Sequence, residues 1–133
     1  MAVEVVILTP VLMAFVMLIV AGGRYVAVRG DMEATARDAA RAASLEREFG
    51  AAQSVAGVVV ANSLDQDTRC SQTRVGGSFV AGGIVTVELD CRVSFDGLGL
   101  IGLPGSVGVN ASSSAPIDCY RRTDSGTVAP SCD

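Results

Sequence analysis

The sequence has no histidine and no tryptophan, and aromatic residues make up only 5% of its 133 positions. Without histidine, the commonest general base and the commonest metal ligand are both missing. The glycines pair up at turns, and neither a GxxxxGK loop nor a GxGxxG loop opening a helix is present. The acids Asp65, Asp67, Glu88, Asp90, Asp96 and Asp118 are scattered over loops and strand faces, and no nucleophile stands beside a base. The expectation is therefore a protein that is not an enzyme, with no cofactor and no metal. Lysine is absent too: all ten basic residues are arginine, a compositional bias, since lysine would serve a solvated surface equally well. They form no cluster, and a net charge of −4 with a pI near 4.7 speaks against a nucleic-acid partner.

What the sequence does have is a long apolar run. Val5 to Gly22 holds no charge; Glu4 immediately precedes it and the first base is Arg24. As a helix these eighteen residues extend about 27 Å, close to the hydrocarbon thickness of a bilayer. The run is too long and wrongly flanked for a cleavable signal peptide and is expected to stay on the mature protein. Tyr25 and Arg24 follow Gly22 and Gly23 where a membrane interface would place an aromatic and a base.

Two residues in this region invite a functional account. Glu4 is either an interfacial acid at a helix N-terminus, favoured by the macrodipole, or an assembly determinant that pairs with a neighbouring subunit's free α-amino group inside an apolar bundle. Pro10 removes an amide donor and leaves the Val6 carbonyl without its helical partner. On its own chemistry it is a tolerated kink, helped by neighbouring helices or Thr9.

The opening MAVEVVILTPVLM, the following GGRYVAVRGDMEATARDAARAAS and the later GGIVTVELDCRV together resemble the TadE-like family of pilin and pseudopilin subunits of Tad-type, type IV-like pilus systems. The resemblance implies a leader ending in Gly that a prepilin peptidase removes and a Glu close to the new end, matched by Glu4; Met1 is then either the processed N-terminus or, if the resemblance misleads, a start codon. Type IV pilins usually carry this Glu fifth, and here it is fourth. A basic leader on the inner side would also restore the positive-inside pattern that Arg24 otherwise breaks. The resemblance further implies a structural subunit, first inserted in the cell membrane and then polymerised through its N-terminal helix into an extracellular homopolymer, with Pro10 a point where the helix bends or locally unwinds as subunits leave the bilayer and pack in the filament. Its partners would be identical subunits, the inner membrane, the prepilin peptidase and the assembly machinery. A minor or priming pseudopilin of the same machine, and a membrane-anchored surface module that never polymerises, are the alternatives.

The length allows one small soluble domain beyond the apolar helix, so residues 1–64 are expected to form the membrane and assembly helix with its extension, and residues 65–133 a small β-rich domain. From Tyr25 to about Glu48 the pattern is helical, with Val28, Met32, Ala36, Ala39 and Ala43 on one face and Arg29, Glu33 and Arg37 as i,i+4 neighbours on another. A kink or turn is expected at Gly50, then a helix from about Ala51 to Leu64; the alternative is one continuous helix carrying Gly50 and Gly57, each costing about 1 kcal/mol relative to Ala. Val85 to Phe95 alternates apolar and polar residues and reads as a strand, Arg74 to Val80 as the strand before it with a bulge at Gly76 and Gly77, and Val107 to Ile117 as a third. These strands should make an antiparallel sheet of three or four, its apolar face covered by the Ala-rich helix, giving an α+β fold: a long N-terminal hydrophobic helix, pilin-like, followed by a small antiparallel sheet domain with disulfides. The apolar stretch Gly97 to Pro104 is either tucked under the sheet or an exposed patch, and the Asn110-Ala-Ser sequon is background.

Four cysteines, Cys70, Cys91, Cys119 and Cys132, all follow the apolar run, with no CxxC pair. Disulfides suit a small domain facing an oxidising compartment. Of three connectivities, Cys70 with Cys91 and Cys119 with Cys132 is expected: the first ties the helix exit to the central strand, worth roughly 3 kcal/mol in the chain-entropy picture, and the second pins a tail poor in apolar residues.

Overall fold

The computed structural model describes residues 2–64, 68–94 and 105–132, with side chains from Val5 onward. The side chain of Glu4, all of Met1, the Asp65 and Asp67 pair, and the apolar stretch from Gly97 to Pro104 lie outside the described residues. The fold is α+β: a helix α1 (Ala2–Ser44), a helix α2 (Phe49–Ser63), and strands β1 (Thr68–Gly77), β2 (Ile84–Ser94) and β3 (Ser106–Pro116) in an antiparallel sheet of order β1-β2-β3. A short 3-10 turn at Pro130–Cys132 ends the described chain.

At 1.5 Å per residue, the 43 residues of α1 extend about 64 Å, far more than the sheet can cover. Only the second part packs. Met32, Ala36, Ala39, Ala40 and Ala43 have no exposed surface, and Thr35 and Ser44 are buried beside them, which is the stripe that a 3.6-residue repeat brings to one side. Alanine at most of these positions lets the helix backbone lie close to the sheet. α2 adds Ala52, Ala56 and Val60 at four-residue spacing. The core therefore joins α1 from Val28 onward, α2 and the sheet into one cluster.

Strand β2 carries the alternation through. Val85, Val87, Leu89, Cys91 and Val93 are buried, while Glu88, Asp90 and Arg92 face solvent. Phe95, expected as its last residue, lies outside the described residues. β3 turns Val109 inward and half-buries Val107, Ala111, Ser113 and Ala115.

Two boundaries differ from the sequence expectation. The break between the helices falls at residues 45–48, ahead of Gly50, which sits inside the first turn of α2. No glycine or proline marks it; tertiary contacts make it. The Leu45 and Glu46 amides close back on the Ala42 and Ala43 carbonyls, and the Arg47 carbonyl accepts the Asp124 amide. Phe49 then packs edge-on against Phe79, with ring centroids 5.9 Å apart. The first strand begins at Thr68 rather than Arg74 and ends at Gly77, with its irregularity between Cys70 and Gln72, whereas Gly76 and Gly77 pair regularly with Thr86 and Val85. The extra residue changes the phase of the strand, so that Cys70 and Thr73 both lean toward the core. Gly77 is needed for a different reason: it has φ +100, and a Cβ there would lie 2.1 Å from the Ile84 carbonyl oxygen.

The disulfides join Cys70 to Cys91 and Cys119 to Cys132. The first links directly opposed residues of β1 and β2. The second fastens the tail against the loop at residues 78–83, where the Ala81 amide donates to Thr127, the Ala129 amide to Ala81, and the Ile117 amide to Gly83.

Candidate functional site

The part of α1 that the sheet leaves uncovered is the candidate site. From Val5 to Val20 every side chain is exposed, including Leu8, Leu12, Phe15, Leu18 and Ile19, each more than half accessible. A folded monomer seldom leaves this much contiguous apolar surface in water, and such a surface marks a site of association with protein or lipid. By length and composition the helix can cross a membrane, and none of its apolar window is buried within the protein. The N-terminal apolar helix is thus a candidate membrane anchor.

Its local structure follows from its residues. The helix runs unbroken through Pro10, although that residue cannot donate to the Val6 carbonyl. The Thr9 hydroxyl donates to the Val5 carbonyl at 2.7 Å, one residue short of the orphaned group, so Thr9 does not supply the missing bond. Val6 keeps a carbonyl available to a donor from outside the helix. Next to it, Pro10, Val11, Ala14, Phe15 and Leu18 line an almost wholly apolar groove of about 400 Å³. A groove on an exposed helix face is where the side chains of a second helix can seat.

Beyond Gly23 the helix becomes polar on its open side. Glu33 reaches Arg29 at 3.5 Å and Arg37 at 3.7 Å, a solvated i,i+4 ladder. On the outer face of the sheet, Glu88, Asp90, Asn110 and Ser112 border a shallow polar concavity. Among the described residues, no group of three or more histidine, cysteine or acidic side chains could hold a metal ion.

Of the assembly residues named from sequence, the structure describes the side chain of Pro10; those of Met1 and Glu4 lie outside it. The four cysteines come together in two pairs at opposite ends of the sheet: Cys70–Cys91 near the end where α1 leaves the domain, Cys119–Cys132 at the far end. The groove beside Pro10 was not anticipated. Its signal is present in the sequence as Ala14 between larger neighbours one turn to either side.

The comparisons with known proteins bear on this same helix. Residues 1–41 match the family model described as TadE-like protein, a match that covers the protruding part of α1 and most of its packed part. No curated protein and no solved structure matches the chain.

Proposed function

We propose that the chain is a structural, non-catalytic subunit of a Tad-type pilus, held in the membrane by its N-terminal helix and then polymerised through it into an extracellular filament. The observation that carries this reading is the fully exposed apolar half of α1, within a region that matches a TadE-like family. In the bilayer that surface is solvated by lipid. In a filament the same side chains pack against the helices of identical subunits, with the sheet domains outside. Association of this kind rests on close packing and interhelical hydrogen bonds, because lipid tails are as apolar as leucine. The groove beside Pro10 would receive side chains of a neighbouring helix, and the orphaned Val6 carbonyl would have a donor within reach there. Glu4 would pair with the Met1 amine of an adjacent subunit after a prepilin peptidase has freed it. That pairing replaces an awkward carboxylate in an apolar bundle with a charge-assisted contact.

The test is Glu4→Ala, expressed together with the pilus assembly machinery. The expected result is loss of filaments from the sheared fraction, while the subunit remains in the membrane with both disulfides formed. An undiminished filament yield would overturn the pairing.

A further inference from the structure

We infer that the end of the sheet domain nearest the apolar helix, bounded by Leu64, Thr68, Val93, Ser94 and Ser106, rests on the bilayer surface while the protein is membrane-bound. This rests on the reading of Val5 to Gly22 as a membrane span.

The orientation of the domain follows from its contacts. The far end of α1 meets the loop at residues 78–83 and the tail, through Phe49 against Phe79 and the Asp124 amide on the Arg47 carbonyl. β2 leaves that loop at Ile84 and ends at Ser94, where Val93, Thr68 and Leu64 share a concavity of about 290 Å³ with Arg24, Val28 and Asp31 of α1. β2 therefore runs back along α1 toward the apolar segment. β3 starts at the same end, since Ser106 pairs with Ser94.

The height of that end follows from the helix. α1 is continuous from Ala2 to Ser44, with no break between the apolar run and the packed part, so the domain cannot swing away on a linker. Arg24 lies two residues past Gly22, about 3 Å along the axis, and Val28 six residues past it, about 9 Å. The headgroup region of one leaflet is about 5–8 Å deep, the difference between total and hydrocarbon thickness shared over two sides. The strand ends share their concavity with Arg24, within that depth, and with Val28, just beyond it, and are thus held at the outer edge of the headgroup region.

Arg24 and Asp31, of opposite charge, both lie at this end, so the contact should not require anionic lipid.

The absence of tryptophan supplies the test. Three single-tryptophan variants of the full chain, Ala14→Trp in the apolar run, Ser106→Trp at the proposed contact and Val128→Trp at the far end, are reconstituted in phosphatidylcholine vesicles. The lipid is brominated on its acyl chains close to the headgroup in one set, near the bilayer centre in a second, where A14W is read, and unmodified in a third, because Ala14 lies about 12 Å below Gly22. S106W should show blue-shifted emission that the brominated lipid quenches, while V128W emits as a solvated indole and is not quenched. Tryptophan favours interfaces in itself, so the contrast between these two exposed sites is the measurement. Quenching of A14W with none at S106W would overturn the contact while leaving the span intact. If A14W is not quenched, the span fails and the contact falls with it. Ser94→Trp, on the opposed strand end, gives the same readout if S106W does not fold.

Discussion

The two parts of α1 are equally helical and each presents an apolar face, yet those faces are built from different side chains. Residues 5–20 use Val, Leu, Ile, Met and Phe, all exposed; residues 32–43 bury Ala at four positions, with Met32 as the one large side chain. The difference reflects the distance to the partner. A helix that packs against a sheet of its own chain gains by bringing backbones close, and alanine allows that while losing no side-chain entropy. A helix whose partner is lipid, or the helices of other subunits, gains by presenting large surfaces that fill space at its rim. Charge separates the two parts as whole segments, with none from Val5 to Gly22 and seven charged residues from Arg24 to Ser44; what distinguishes their apolar faces is side-chain volume.

Methionine provides the strongest way to break this comparison, because the same residue type stands in both halves. Met32 has no exposed surface, and Met13 is 63% accessible. Met32→Ala should destabilise the domain by about 2–5 kcal/mol, the usual cost of deleting a buried side chain and leaving a cavity. Met13→Ala should change domain stability by less than about 0.5 kcal/mol, as for surface substitutions. Amide exchange at Val87 and Leu89 in detergent reads domain opening without interference from the helix. Equal losses of protection in the two variants would mean that the halves are one cooperative unit and that the comparison fails.

Much of this division was legible beforehand, and the parts that were not share a cause. The buried face of α1 and the alternation of β2 could be read because each is a local periodicity with one wet side. The break at residues 45–48 could not, because Leu45, Glu46, Arg47 and Glu48 are not helix breakers; the helix stops where Phe49 finds Phe79 and Arg47 finds Asp124, partners 30 or more residues away. The bulge beside Cys70 was hidden for a similar reason. Gly76 and Gly77 looked like the irregular site, but what matters is the pairing with β2, and a strand does not display its partner's register. At the candidate site the apolar surface was plain from composition. The separation of the Val6 carbonyl from the Thr9 hydroxyl was not, since a serine or threonine hydroxyl in a helix has two carbonyls within reach.

Glycine offers a second contrast of intermediate size. Gly82 has φ +74, and a Cβ on it would lie 2.0 Å from the Cys132 sulfur, whereas a Cβ on Gly22 meets nothing within 4 Å. Gly82→Ala imposes an unfavourable backbone conformation and displaces the disulfide that holds the tail, so a loss beyond about 1 kcal/mol is expected. Gly22→Ala should instead strengthen α1 by about 1 kcal/mol through helix propensity. The readouts are amide exchange at Ala81 and Ala129 for the first and at residues 20–26 for the second. A neutral Gly82→Ala would show that the tail is not held against this loop.

The smallest expected effect sits beside the largest in sequence. Glu33 follows Met32 but points away from the sheet, and its two arginine partners are 59% and 69% accessible. Glu33→Gln removes both ion pairs, and each exposed pair of this spacing contributes only a few tenths of a kcal/mol. No new repulsion offsets or enlarges the loss, because Arg29 and Arg37 are eight residues apart, about 12 Å along the axis, beyond the screening length of about 8 Å at physiological salt. The change in amide protection along residues 29–37 should therefore be small in dilute buffer and vanish near 1 M salt, where screening acts within about 3 Å. A loss approaching that of Met32→Ala, or one that persists at high salt, would place Glu33 in a desolvated contact and would extend the buried face of α1 around to the side that the structure leaves open to water.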